Sequence, residues 1–178
     1  MKRSLKRMAL LLVVMAAASG MSVSNAKAAG TELFIHKSPD FTITVPKWID
    51  QKSHDPNFVF NRKAGPDAPT ALAISISDLP ADKRISYKDL APAFKKILEM
   101  QNGSDVQIIH EKQIRLQDGT PAYEIAAKWK LGKWPFRMSL HSHVVVVLKD
   151  KKSIWVCVSD TVPVGDNLKQ YPLSLKFK

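Results

Sequence analysis

The sequence predicts an α+β fold built on an antiparallel sheet, and three observations carry that prediction. Short segments such as Phe41 to Val45 and Ala71 to Ser77 alternate apolar and polar side chains, the period of a half-buried strand. A single stretch, Leu90, Phe94, Ile97 and Leu98, has apolar residues at i, i+4, i+7 and i+8, which is one face of a helix. The second half then holds four apolar-rich segments separated by short turn signals, the pattern of a meander.

Taken in order, Leu33 to His36 reads as a first strand, turned by Ser38-Pro39-Asp40 into Phe41 to Val45. Pro46 ends that strand and Trp48 follows, placed to plug a sheet edge. Phe58 to Arg62 is a further strand, and Gly65-Pro66 marks a loop. Ala71 to Ser77 sets Leu72, Ile74 and Ile76 on one face. The helix has Ser86 as its N-cap and Asp89 at its positive end. Pro92 requires either a separate first turn or a kink, since an interior proline removes a hydrogen bond and clashes with the preceding turn. Asn102-Gly103 ends the helix.

The meander runs Val106 to Leu116, Pro121 to Lys130, Arg137 to Leu148 and Ser153 to Thr161. Its second strand sets Tyr123, Ile125, Ala127 and Trp129 on one face. Val144 to Val147 is apolar on both faces, as in a central strand covered on both sides. The tail offers a short helix over Asn167 to Tyr171 and an edge strand over Leu173 to Phe177.

The first 28 residues read as a cleavable signal peptide. Lys2, Arg3, Lys6 and Arg7 precede an apolar run from Met8 to Ala18, and Ala26 and Ala28 are the small residues that a signal peptidase reads. The apolar run is short of the roughly 20 residues that a bilayer span needs. Cleavage is expected after Ala28, with Ala26 as the alternative, leaving residues 29–178 as one domain in the periplasm or outside the cell. No leader cysteine marks a lipid anchor and no arginine pair marks the twin-arginine route.

The chain has 27 Lys and Arg against 16 Asp and Glu. Five of the basic residues lie in the leader with no acid, so residues 29–178 carry 22 against 16. That excess is modest and scattered; with export, it argues against nucleic acid as a partner. Lys149, Lys151 and Lys152 around Asp150 read as a solvated hairpin turn. Cys157 is the sole cysteine, so no intrachain disulfide forms; inside Ile154-Trp155-Val156-Cys157-Val158 it reads as a buried apolar thiol rather than a nucleophile.

Three pieces of this order resemble the PsbP/Mog1-like superfamily, including bacterial extracytoplasmic PsbP-related proteins. They are Phe41-Thr42-Ile43-Thr44-Val45-Pro46-Lys47-Trp48, Gly119-Thr120-Pro121-Ala122-Tyr123-Glu124 and Ser174-Leu175-Lys176-Phe177. The resemblance implies an α/β/α sandwich around a central antiparallel sheet, and an accessory, partner-binding role without catalysis. Each piece is short and structural, so only the fold and the habit of binding carry over.

Two constellations could carry that binding. Trp129, Trp134, Phe136 and Arg137 crowd one turn beside Lys128, Lys130 and Lys133, and exposed aromatics among cations anchor protein interfaces. The expected partner is a protein of the envelope. His141 and His143, two apart on a strand, project from one face and offer imidazoles to zinc or copper, although a closed site needs about four ligands. No other cofactor is expected. Ser142 lies between these histidines but points to the opposite face, so neither can take its proton. The sequence holds no Gly-x-Ser-x-Gly, His-Glu-x-x-His or Gly-rich phosphate loop, and no enzymatic activity is expected.

Overall fold

The structure is a computed structural model that describes residues 30–46, 58–62, 71–79, 85–132 and 137–177. The leader, Trp48, His54, the Gly65-Pro66 loop, Trp134 and Phe136 lie outside the described residues. Among the described residues, nine strands and two α-helices make an α+β fold of antiparallel sheets. The strands are β1 (Thr31–Lys37), β2 (Asp40–Pro46), β3 (Phe58–Arg62), β4 (Ala71–Asp78), β5 (Gly103–Arg115), β6 (Pro121–Leu131), β7 (Met138–Lys149), β8 (Lys152–Asp160) and β9 (Lys176–Phe177). The helices are α1 (Leu90–Met100) and α2 (Asp166–Leu173). Among the described residues, no helix is long and apolar enough to cross a membrane.

Six strands form the main sheet in the order β3-β4-β8-β7-β6-β5, so the expected meander β5 to β8 is intact and β7 lies inside it. Val144 to Val147 are fully buried because both faces of β7 are covered. Val144 and Val146 join Phe94, Ile97 and Leu98 of α1 in one core, with Trp129, Trp155 and Tyr123. Val145 and Val147 join Phe41, Ile43 and Val45 of β2, together with Leu168 and Tyr171 of α2, in the other. The layer opposite α1 therefore consists of the small sheet β1-β2-β9 and the C-terminal helix.

Local chemistry explains the boundaries. Tyr87–Asp89 is a separate 3-10 turn, and the Ser86 backbone N–H donates to Asp89 Oδ2 at 2.8 Å. Pro92 then falls in the first turn of α1, where the missing N–H costs nothing. The β7–β8 hairpin closes through Asp150 and Lys151, both with positive φ (51° and 58°), the backbone that a two-residue turn matched to strand twist requires.

The tail differs from the expected edge strand over Leu173 to Phe177. Helix α2 continues to Leu173, and only Lys176–Phe177 pair with β2. Ser174 explains the change. Its hydroxyl donates to Tyr171 O (2.7 Å), closing the helix, and accepts from the backbone N–H of Thr44 (2.8 Å). Leu175 is fully buried behind it, and the Phe177 ring lies 5.9 Å from that of Phe41.

Candidate functional site

Among the described residues, the main sheet carries an ionic cluster around a buried carboxylate, on the face opposite α1. Glu124 occupies the middle of β6, flanked on its face by Ala122 and Ala126, whose small side chains leave it room. Antiparallel pairing sets Lys112 of β5 directly across from Glu124, and His143 of β7 across from the neighbouring Ala126. Three donors converge as a result. His143 Nε2–H donates to Glu124 Oε1 at 2.7 Å, Lys112 Nζ stands 3.1 Å from Oε2, and His110 Nε2 stands 3.5 Å from Oε1.

Burial and pairing pull the two central groups in definite directions. Burial alone would raise the pKa of Glu124, but hydrogen bonds from His143 and Lys112 and their charges outweigh it and hold the carboxyl down at about 2. His143 is 1% exposed, and that burial lowers its pKa despite the carboxylate; Lys169 and His110 push the same way. The stable form near neutral pH is thus a carboxylate holding a neutral imidazole by its Nε2–H. The imidazole lone pair is then on Nδ1, which is buried and has no hydrogen-bond partner.

The opposite face holds a chain of hydroxyls instead. Trp129 Nε1–H donates to Ser142 Oγ (2.9 Å), Ser142 Oγ bonds Ser159 Oγ (2.7 Å), and Cys157 Sγ lies 3.6 Å from Ser159 Oγ. Burial pushes the Cys157 thiol up to about 11, so it stays protonated and weakly nucleophilic.

These placements correct part of the expected docking surface. Trp129 is fully buried, because residue parity on β6 puts it on the inner face with Tyr123, Ile125 and Ala127, and Ser142 satisfies its N–H. It cannot reach a partner. Arg137 is exposed, and Trp134 and Phe136 lie outside the described residues. His141 and His143 do share a face, with Ser142 on the other, but they are not equivalent. His143 is buried against Glu124, while His141 is half-buried at the position across from Asp160. Among the described residues, no three His, Cys, Asp or Glu side chains are grouped so as to hold a metal ion.

In the sequence Glu124 stands as an acid on a strand with no visible pairing, although two signals pointed to a partner. The turn at Gln117 to Gly119 implies pairs that include Lys112 and Glu124. An acid between two alanines on one strand face also needs a cation across from it.

The fold has solved relatives. The solution structure of cyanobacterial PsbP (CyanoP) from Synechocystis sp. PCC 6803 superposes with a TM-score of 0.54 at 14% identity, over 90% of this chain and 99% of that one. A crystal structure of PA94, a Pseudomonas aeruginosa protein of unknown function, gives a TM-score of 0.43 at 13% identity, over 73% of this chain and 82% of that one. No family model and no curated protein matches the sequence. The likeness to CyanoP shows a PsbP-like fold.

Proposed function

We propose that this protein is an exported accessory protein that acts by binding another protein of the envelope rather than by transforming a substrate. One observation carries this reading: among the described residues of the main sheet, Cys157, Ser142 and Glu124 are engaged with neighbouring side chains. Cys157 is buried with a raised pKa, Ser142 is held between Trp129 and Ser159, and Glu124 is held by His143 and Lys112. None of these groups is poised as a base beside a nucleophile. A PsbP-like fold, whose members the sequence resemblance describes as accessory proteins, supports the same reading.

The segment to test is the one that ends at exposed Arg137. A photo-crosslinking residue placed at Arg137 should give a discrete adduct with a second envelope protein in intact cells. The same residue at exposed Lys88, on the 3-10 turn before α1, should not. Equal labelling from both positions, or none from either, would remove this surface.

A second reading, carriage of zinc or copper, rests on His143. A carboxylate that holds one imidazole nitrogen commonly backs an imidazole whose other nitrogen binds metal. Thermal unfolding followed during zinc or copper titration decides this: a bound metal raises Tm with concentration, and no shift at excess metal ends the idea.

A further inference from the structure

Strand β1 is the edge of the small sheet, paired only with β2 among the described residues. Leu33 and Ile35 stand on its outer face, 59% and 56% exposed. An edge strand offers unpaired backbone N–H and C=O groups, and folded proteins blunt such edges with bulges, prolines or charges. The main sheet does so at β5, where two register shifts interrupt the pairing and His110, Glu111 and Lys112 line the strand. Strand β1 has neither bulge nor proline, and its charged residues, Glu32 and Lys37, stand near its two ends. Its seven residues pair with β2 in unbroken register, it contains no proline, and its centre is Leu33-Phe34-Ile35.

We propose that this edge binds a second copy of the chain, through antiparallel pairing of β1 with β1 about a two-fold axis at Phe34. The sequence of the strand selects both the direction and the register. Its first half carries Glu32 and its second half Lys37. An antiparallel copy brings the acidic end of each strand against the basic end of the other, whereas a parallel copy sets like against like. Side chains directly opposite each other in an antiparallel pair lie on one face, so the outer residues Thr31, Leu33, Ile35 and Lys37 must pair among themselves. Only the register centred on Phe34 sets Leu33 of each copy against Ile35 of the other. It also sets Glu32 across from His36, and Thr31 across from Lys37. Two exposed apolar pairs thereby become one covered four-residue strip, and the sheet β9-β2-β1 continues into β1-β2-β9 of the second copy.

One strand pair and four apolar side chains fall below the standard interface of about 1,600 Å², so the association is weak, with Kd in the range of about 10 µM to 1 mM. Sedimentation velocity of the purified protein across that concentration range tests it. The expected result is a rise from monomer towards dimer mass with loading. Ile35→Glu, with unchanged circular dichroism and Tm, should weaken the association at least tenfold. Thr31→Glu should strengthen it, because it places a carboxylate across from Lys37 of the second copy; a merely sticky apolar patch would not respond to that change. Monomer mass throughout, or dimers indifferent to both substitutions, would overturn the proposal. Neither result bears on crosslinking at Arg137.

Discussion

Glu124 is a main contributor to the acid limb of the stability curve. Its pKa falls from an ordinary value of 4.5 to about 2 on folding, so the native state gains stability above 4.5 and loses it as pH drops through 2. His143 acts in the same sense and earlier. Its pKa is depressed below 6.5, so the unfolded chain takes up that proton first and stability begins to fall below 6.5. Urea unfolding between pH 7 and 2 should therefore show two successive losses, and Glu124→Ala, which leaves the buried His143 Nε2–H without its acceptor, should cost about 1–3 kcal/mol at pH 7 and flatten the second. At Cys157 the raised pKa and burial predict that a thiol reagent labels the native protein no faster than it unfolds, with full labelling in denaturant. The buried thiol was legible in the apolar run around it. Of the partners of Glu124, Lys112 follows from the turn at Gln117 to Gly119, whereas His143 and His110 depend on the β6–β7 register and on a β5 register shift that single-strand periodicity does not contain.

At the scale of elements, apolar period located almost every strand, and covered faces explain why. Alternation on β2 and β6 and the four valines of β7 each report a packed surface directly. Parity also governs Trp129: its position with Tyr123, Ile125 and Ala127 outweighed its closeness to a turn full of cations. The end of α2 was harder to read, since Ser174 stops the helix through a contact with Thr44, 130 residues away. The junction of α1 and β5 offers a sharp test. A Cβ added at Gly103 would press into the Leu98 carbonyl and stand 3.1 Å from Trp129 Cε3. Backbone cannot yield as a flexible side chain does, so Gly103→Ala should destabilise by about 1–3 kcal/mol, measured by urea midpoint with m unchanged. Substitution of Gly119, whose Cβ would meet nothing within 4 Å, isolates the separate effect of its positive φ.

For the whole molecule, the closing contacts join distant parts of the chain. Asp118 Oδ2 accepts the Phe177 backbone N–H at 2.7 Å, Phe177 packs on Phe41, and Lys149 Nζ lies 4.4 Å over the Phe177 ring. Burial would raise the pKa of Asp118, but the N–H groups of Phe177 and Thr120 hold it down, so this tie also weakens on acidification. Asp118→Ala should cost about 1 kcal/mol and speed hydrogen exchange at Phe177 while leaving β7 protected. The resemblance pieces around Phe41, Gly119 and Ser174 were readable as separate motifs, and the structure shows that all three meet at this seam. There is a temporal side to that seam. Synthesis from the N-terminus delivers β2 long before Ser174, Leu175 and Phe177 arrive to cover it. The β1–β2 hairpin therefore stays uncovered on that side until these residues are made, so its docking belongs to the last step of folding.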